Sequence, residues 1–303
     1  MKNAMSLRAG TGLAALVLLV AGCGGGDVDP AAQATCPDGE IRFGIEPFED
    51  PAKLTPAYEV LATALEAELD CPVRVQVVED YSAEVLAMEN GELELAQFGP
   101  LGFVFASQRA GAEPLVSFGL ENGELSTYTA GIWVPKGSDI GGIEDLSGRS
   151  LALSSPGSTS GDALPRLALA EEGIEESDVA LDYAGGHPEA LLALINGAVD
   201  AAEINSQTLA TATAEGTFNP DEYEQVWESD PIPNDPITVR ADLSQEFKDA
   251  VRDALLGLAP EDVAEVGAFL DVDPPGPMVE VTKETYEPLF VLAETLGLTE
   301  ADA

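Results

Sequence analysis

The stretch Ser158-Thr159-Ser160-Gly161 follows a strand-like run at residues 150–155 and precedes a helix-like run at residues 162–169. A strand, a glycine-bearing turn and a helix direct several backbone N–H groups and the positive helix end toward one point. Three consecutive hydroxyl groups add donors that can surround a tetrahedral oxyanion. The alternative is that one hydroxyl simply caps the helix, which is common. The stretch alone favours the cap, whereas the rest of the chain favours an anion site.

The first 22 residues have the features of a secretory signal. Lys2 and Arg8 precede an apolar run at residues 13–20, which is too short to span a membrane. The run leads into Val20-Ala21-Gly22-Cys23, which resembles a bacterial lipobox. The sequence therefore predicts a signal peptide at residues 1–22. The alternative is an ordinary cleavage nearby, with Cys23 incidental.

Lipidation of Cys23 would make it the first residue of the mature protein. Residues 23–37 would then form a lipid anchor and a flexible tether, because three glycines and a polar stretch follow the cysteine. We expect an extracytoplasmic protein that is lipid-anchored to the outer face of the cell membrane, or on its periplasmic side, without a transmembrane helix.

The chain is strongly acidic, with 55 Asp and Glu residues against 13 Lys and Arg residues and a net charge of −42. The acids occur along the whole chain, which argues against nucleic acid and against docking on anionic lipid. An anionic ligand would need a local positive potential, which helix N-termini can supply. His187 is the only histidine in the sequence, which excludes a multi-histidine metal site. We expect no metal and no cofactor.

Two cysteines remain once Cys23 is lipidated. Cys36 lies just before the first strand-like run, at residues 41–45, and Cys71 lies just before the second, at residues 73–78. Adjacent parallel strands would bring these two positions together in an oxidising compartment. The sequence therefore predicts a Cys36–Cys71 disulfide, with two buried thiols as the alternative.

Strand-like and helix-like runs alternate along the chain. Between residues 41 and 98, three strand-like runs enclose two helix-like runs. This order is typical of a parallel sheet with helices on both faces, and ligands bind beyond the carboxyl ends of such strands. Those ends carry Glu46, residues 80–82 and residues 97–100. A second series begins after Tyr128, so we expect two α/β lobes.

Four motifs occur in order along these lobes. They are Asp145-Leu146-Ser147-Gly148-Arg149, Ser158-Thr159-Ser160-Gly161, Ala184-Gly185-Gly186-His187-Pro188-Glu189-Ala190 and Ile232-Pro233-Asn234-Asp235-Pro236-Ile237. Each is weak alone, but together with the lipobox they resemble the solute-binding proteins of phosphonate and phosphite ABC importers. The resemblance extends from the first strand to the C-terminal helices.

This resemblance implies a two-lobed type II periplasmic-binding-protein fold, each lobe a mostly parallel sheet flanked by helices. Lobe 1 would comprise residues 38–128 and 236–303, and lobe 2 residues 129–235, with a hinge of two crossings. A small phosphorus oxyanion (phosphite, an alkylphosphonate or phosphate) would bind between the lobes. The implied partners are an ABC permease and its ATPase. We expect a monomer.

The resemblance also implies a set of ligand contacts. In the family, the Ser-Thr-Ser turn and the histidine hold the phosphonyl oxygens from the second lobe. An aromatic residue after the second strand and the aspartate of the Asp-Pro-Ile motif complete the site. The matching residues here are Ser158, Thr159, Ser160, His187, Tyr81 and Asp235.

Two positions depart from the aminophosphonate binders of this family. Phe98 replaces a tyrosine at the end of the third strand, which predicts an apolar wall suited to a P–H or P–CH₃ group. Gln207 replaces a glutamate, so the chain offers an amide where those binders offer a charge. An amine-bearing ligand should therefore bind less well, because an unpaired buried charge is costly.

Alternative functions depend mainly on His187. Pro188 makes this residue a plausible helix N-cap, and a helix N-terminus favours a neutral ring that donates one N–H to an oxyanion. Ser158 or Ser160, activated by His187 and Asp235, could instead be the nucleophile of a surface phosphoesterase. No Gly-x-Ser-x-Gly elbow surrounds these serines, which argues against that. A ligand-sensing lipoprotein without transport is the other alternative.

Overall fold

The computed structural model describes residues 35–37 and 39–302, which form an α/β protein. The strands of this part of the chain are β1 (Ile41–Ile45), β2 (Val73–Val77), β3 (Leu95–Gln97), β4 (Glu113–Leu120), β5 (Thr127–Tyr128), β6 (Gly131–Pro135), β7 (Ser150–Leu153), β8 (Ala180–Tyr183), β9 (Ala201–Glu203), β10 (Tyr223–Glu228), β11 (Ile232–Pro233), β12 (Ile237–Val239) and β13 (Pro275–Glu280). The α-helices are α1 (Pro51–Leu69), α2 (Tyr81–Glu89), α3 (Pro100–Arg109), α4 (Leu164–Glu171), α5 (His187–Ile195), α6 (Ser206–Ala214), α7 (Gln245–Gly257), α8 (Pro260–Phe269) and α9 (Glu287–Leu296).

The strands form two main sheets. The larger has the order β13-β4-β12-β3-β1-β2, and the smaller has the order β10-β6-β9-β7-β8. Strands β3, β1 and β2 are parallel, as are β9, β7 and β8. The strands β12 and β6 are antiparallel to their neighbours, and β13 pairs antiparallel with β4. Both sheets are therefore mixed, with the expected parallel strands together at one side of each sheet and antiparallel pairs at the other. Strands β6 and β12 each follow a crossing between the two sheets, and they run opposite in direction to the neighbouring parallel strands.

A short pair of strands connects the two sheets. The chain leaves the larger sheet through β5 and returns through β11, and these strands pair antiparallel with Ile232 opposite Tyr128. Tyr128, Ala130 and Ile232 form a small buried cluster at this point. The two crossings therefore lie side by side, which is suited to a hinge. The proposed lobe boundaries at residues 128/129 and 235/236 stay a prediction.

Each sheet has an apolar core on both faces. Helices α1, α7 and α8 pack on one face of the larger sheet, and α2, α3 and α9 pack on the other. Helix α4 covers one face of the smaller sheet, and α5 and α6 cover the other. Fully buried side chains such as Leu54 and Leu61 of α1 stabilise these layers by roughly 1.5–3 kcal/mol each. Packing on both faces fixes the strand ends that carry the polar residues.

The first two helices begin at aspartate caps. Asp50 Oδ1 accepts a hydrogen bond from the Ala52 N–H, and Asp80 Oδ1 accepts one from the Ala83 N–H at 2.7 Å. The second cap makes Tyr81 the first residue of α2. Tyr81 thereby lies at the carboxyl end of β2, which is where a ligand would be expected.

The described residues contain no helix that is long and apolar enough to cross a membrane. The predicted signal peptide, Cys23 and most of the predicted tether fall at residues 1–34, outside the described residues.

The structure pairs Cys36 with Cys71 in a disulfide. Their Cα atoms are 5.4 Å apart, and the bond closes a segment with a sequence separation of 35. Cys71 follows the C-terminus of α1 and precedes β2, which is parallel to β1 in register Ile41–Val73. The bond therefore ties the segment before β1 to the entry of β2.

Loss of this disulfide should destabilise the protein. Replacing both cysteines with serine is expected to lower the free energy of unfolding by about 3–4 kcal/mol, because a closed loop of this length restricts mainly the unfolded chain. Urea unfolding of protein that begins after Cys23 measures the difference, and reduced wild-type protein should match the double variant. Two free thiols in the denatured, unreduced protein would show that the bond does not form.

Candidate ligand-binding site

A small cavity lies between the two sheets. Its volume is about 10 Å³, close to the minimum that one buried water molecule requires. A wider cleft of about 400 Å³ adjoins it, and Tyr81 lines both. The residues that line the cavity are Glu46, Phe48, Tyr81, Gly99, Tyr128, Ser158, Thr159, Ser160, His187, Asn205, Gln207 and Asp235.

The Ser-Thr-Ser turn is held tightly against the end of β7. Ser158 Oγ accepts a hydrogen bond from the Gly161 N–H at 3.1 Å, and Asp162 Oδ2 accepts one from the Gly157 N–H at 3.0 Å. A Cβ atom on Gly161 would lie 1.8 Å from Ser154 Oγ, so only glycine fits there. A single π-helical turn at residues 159–163 then leads into α4. The cap expected for Ser158 therefore exists, but it is part of a larger arrangement.

All three hydroxyl oxygens of the turn already accept hydrogen bonds from the protein. The donor to Ser158 is the Gly161 N–H, the donor to Thr159 is the Leu101 N–H at 2.9 Å, and the donor to Ser160 is Asn205 Nδ2 at 3.2 Å. A hydroxyl group whose oxygen is occupied in this way keeps its proton for another acceptor. Thr159 and Ser160 are thus arranged as donors, which is what an oxyanion requires, and Ser158 joins them when His187 Nε2 does not accept its proton.

His187 is the first residue of α5, and Gly186 occupies the N-cap position that was expected for His187. The Nδ1 atom of His187 lies 3.0 Å from Glu203 Oε2, and its Nε2 atom lies 3.2 Å from Ser158 Oγ. Because Nδ1–H donates to the Glu203 carboxylate, a neutral ring has no N–H left for a ligand. The neutral ring was expected to donate an N–H to the ligand, and the structure does not support this. In the neutral ring Nε2 accepts the Ser158 proton, whereas in a ring protonated on both nitrogens Nε2 donates.

The partner of His187 also differs from the expected one. Glu203, at the end of β9, is fully buried and holds the ring, whereas Asp235 contacts Gln97 through Nε2 of that residue at 3.3 Å. A serine–histidine–carboxylate chain therefore exists, but it ends at Glu203. The carboxylate fixes which ring nitrogen faces the turn.

The other wall of the cavity carries two carboxyl groups. Burial raises the pKa of Asp235 to about 7, while the Gln97 hydrogen bond and the charge of His187 oppose the shift. Burial and the nearby Asp235 raise the pKa of Glu46 well above its ordinary value, and the Gly99 N–H opposes this. These carboxyl groups hold protons at a pH where exposed carboxyl groups have lost them.

Two tyrosines complete the polar lining. Burial is the main cause that raises the pKa of Tyr81 and of Tyr128 well above the ordinary value, so both phenols keep their protons. Of the described residues that line the cavity, none is Lys or Arg. Any anion held here must be bound by hydroxyl, amide and imidazole donors and by helix N-termini.

The structure brings together all but one of the predicted ligand contacts. Phe98 is fully buried in the core with Leu101 and Val104 and does not line the cavity. Successive side chains of an extended segment point to opposite sides, so Gly99 reaches the cavity instead. The apolar side chain in the lining is Phe48. The predicted contacts that do line the cavity are Tyr81, Ser158, Thr159, Ser160, His187, Gln207 and Asp235.

Gln207 makes a contact that the sequence did not predict. Its Nε2 donates to Asn234 Oδ1 at 2.9 Å, and Asn234 Nδ2 donates to Ser126 Oγ. Gln207 belongs to α6, whereas Asn234 lies on the return from β11 to β12. The amide therefore joins the two sides of the cavity, in addition to lining it.

Several lining residues were missed from sequence. Glu46 was placed at a strand end that faces ligands, but it was given no role. Asn205 follows β9 and caps α6, with its Oδ1 accepting from the Thr208 N–H. Both could have been found from the rule that ligands sit beyond the carboxyl ends of strands. Phe48 and Tyr128 carry no comparable signal.

Comparisons with known proteins are consistent with this geometry. The family model "ABC transporter, phosphonate, periplasmic substrate-binding protein" matches residues 43–286. The phosphate-import protein PhnD of Mycolicibacterium smegmatis is 29% identical over 253 residues, which cover 80% of this chain and 79% of that protein. The phosphonates-binding periplasmic protein of Escherichia coli is 28% identical over 231 residues, covering 74% and 68%.

A solved structure has the same fold. PhnD1 from Prochlorococcus marinus, in complex with methylphosphonate, superposes with a TM-score of 0.75 at 18% identity and covers 87% of this chain and 99% of that one. The type II binding-protein fold expected from sequence is thereby confirmed. Since the family model spans most of the chain, this protein belongs to the periplasmic substrate-binding proteins of phosphonate ABC transporters.

Proposed function

We propose that this protein captures a small phosphorus oxyanion (phosphite, an alkylphosphonate or phosphate) between its two lobes for uptake by an ABC importer. The observation that carries this is the row of three hydroxyl groups whose oxygens are already occupied by protein donors. The relatives whose names specify phosphate import or phosphonate binding support the ligand class. The family is one of transport receptors, not of enzymes.

The ligand is held from both lobes. Ser158, Thr159 and Ser160 bind its oxygens from lobe 2 together with His187, whose Nε2 donates when the ring carries both protons. Tyr81 binds the oxygens from lobe 1, and Asp235 binds them from the end of the return crossing, where Gln97 of lobe 1 contacts it. Two contacts across the cavity accompany closure. The Leu101 N–H donates to Thr159 Oγ1, and Gln207 Nε2 donates to Asn234 Oδ1, while Asn234, on the return crossing, is held to lobe 1 through Ser126. Closure around the hinge excludes water, and the closed shape is what the permease and its ATPase recognise.

The protein is delivered to its site of action by the N-terminal signal. We propose that the signal peptide ends at residue 22 and that lipidated Cys23 holds the receptor at the outer face of the membrane. The chain then acts as a monomer beside its permease. A sensor that binds the same ligand without transport would have the same site, and genes for a permease and an ATPase beside its gene distinguish transport from sensing.

The chain Ser158–His187–Glu203 has the order of contacts of a hydrolase triad. Ser158, however, stands in a row of hydroxyl donors, and its oxygen is occupied by the Gly161 N–H. We assign Glu203 the role of orienting His187 for binding. Turnover of a generic phosphoester by the purified protein, abolished in Ser158→Ala, would instead make the protein a phosphoesterase.

Removal of one hydroxyl donor should weaken binding. Ser160→Ala is expected to cost about 1–3 kcal/mol of binding free energy, as for a buried donor to a charged group. Calorimetric titration with methylphosphonate and with phosphate measures it. Ser155→Ala is the matched control, because Ser155 lies on the same turn but lines the outer cleft. Unchanged affinity in the Ser158, Thr159 and Ser160 alanine variants alike would reduce the turn to a helix cap.

Ligand preference should follow charge and size. We expect phosphite, methylphosphonate and phosphate to bind at least about tenfold more tightly than 2-aminoethylphosphonate, because the cavity is small and an ammonium group is costly to bury unpaired. A preference for phosphite or methylphosphonate over phosphate would depend on Phe48, since Phe98 does not reach the cavity. Sulfate should bind last, because it carries no proton toward Asp235.

Calorimetry with these five ligands on the tether-truncated protein tests the order. Tightest binding to 2-aminoethylphosphonate would show that our interpretation of Gln207 is wrong.

A further inference from the structure

Glu46 is a buried carboxyl group of the cavity to which no role has yet been assigned. It is the first residue after β1, is 3% exposed and lines the cavity together with Asp235. A Cβ atom on Gly99 would lie 2.5 Å from Glu46 Oε1, so the carboxyl group packs directly on the N-cap of α3. Its other oxygen, Oε2, has no hydrogen-bond partner among the described residues. A buried polar atom of this kind requires a partner.

Glu46 belongs to a group of three buried carboxyl groups. Burial raises the pKa of Glu84 well above its ordinary value, and Glu46 and Asp235 add to the shift. Three carboxyl groups in one low-dielectric volume cannot all ionise near neutral pH. The other titratable groups that face Glu46 or Asp235 are Tyr58 of α1, Tyr81 of α2, Tyr128 of β5, His187 of α5 and Tyr286, the residue before α9.

We propose that Glu46 is a second specificity-determining carboxyl group of this site, which meets a ligand oxygen beside Asp235 and requires one proton in that contact. The inference rests on the proposed function, since the ligand is the phosphorus oxyanion. Two carboxyl groups against ligand oxygens need two protons, because a carboxylate and a deprotonated oxygen both only accept hydrogen bonds. The ligand or the solvent must supply them.

The number of protons taken up on binding depends on how many the ligand brings to these two contacts. Opening of the cleft returns Glu46 and Asp235 to water, where both ionise. Dihydrogen phosphate brings both protons, monohydrogen phosphate brings one and takes one from solvent, and sulfate brings none and takes two. The complex therefore holds more protons than the separate partners at alkaline pH. Affinity must then fall as the pH rises, and sulfate must be disfavoured more than phosphate.

Glu46→Gln tests the contact. The variant amide can donate one hydrogen bond without a titrating proton and has nearly the same shape. Well above the second pKa of inorganic phosphate, the wild-type protein should take up about one proton per phosphate, with Kd weakening about tenfold per pH unit. The variant should take up about none and keep a constant Kd. Sulfate should take up about one proton in the variant, against about two in the wild-type protein.

Titration calorimetry with phosphate in two buffers of different ionisation enthalpy counts the protons. Glu84→Gln is the matched control, because Glu84 is fully buried on α2 and couples to Glu46 but does not line the cavity. It should keep the uptake at one proton. Equal loss of uptake in both variants, or the same pH slope in Glu46→Gln as in wild type, overturns the inference.

A second variant covers failure of Glu46→Gln to fold. Gly99→Ala places a methyl group against Glu46 Oε1 and displaces the carboxyl group without changing its charge. It should weaken phosphate binding and reduce the proton uptake below one, and unchanged binding and uptake would overturn the inference. Failure of the wild-type protein to bind phosphate, phosphite and methylphosphonate would overturn the proposed function instead.

Discussion

The central physical constraint on this protein is that it must hold an anion with very little positive charge. The chain has a net charge of −42, and no Lys or Arg is among the described residues that line the cavity. Exposed acidic side chains far from the cavity have little effect on the potential inside it, because interactions between solvent-exposed charges are screened over about 10 Å at 0.1 M salt. The positive potential must therefore come from hydroxyl protons, from helix N-termini and from protons that ligand and carboxyl groups share. Tight packing of the turn around Gly161 and Ser154 fixes these donors before the ligand arrives.

The same few residues also connect the two sides of the cavity. Thr159 Oγ1 accepts from the Leu101 N–H, and Gln207 Nε2 donates to Asn234 Oδ1, so these contacts involve two residues that line the cavity. Another contact between the two sides, Lys53 Nζ to Glu215 Oε1 at 2.8 Å, is exposed and contributes little. Recognition and closure are thus energetically linked, since a ligand that orders the turn also favours the contacts across the cavity.

Local sequence patterns predicted the strand–turn–helix unit of residues 158–161, because strand, glycine turn and helix signals all agree there. Motifs in fixed order added His187 and Asp235. Phe98 was misplaced because a shift of one residue reverses the side on which an extended residue lies. Glu46 and Glu203 were missed as functional residues because glutamate is almost never fully buried unless paired, so no sequence rule places it inside. Their burial depends on distant neighbours, such as Gly99 for Glu46 and His187 for Glu203.

The two walls of the cavity carry different parts of the specificity. Hydroxyl donors of the kind presented by Ser158, Thr159 and Ser160 suit any tetrahedral oxyanion, because each oxygen accepts several hydrogen bonds. A wall of carboxyl groups, by contrast, distinguishes ligands by the protons that they bring. The relative from Mycolicibacterium smegmatis is named for phosphate and the one from Escherichia coli for phosphonates, although both are similar to this chain. We therefore propose that ligand choice in this protein is a property of the wall formed by Glu46, Phe48 and Asp235, since the hydroxyl wall cannot make that distinction.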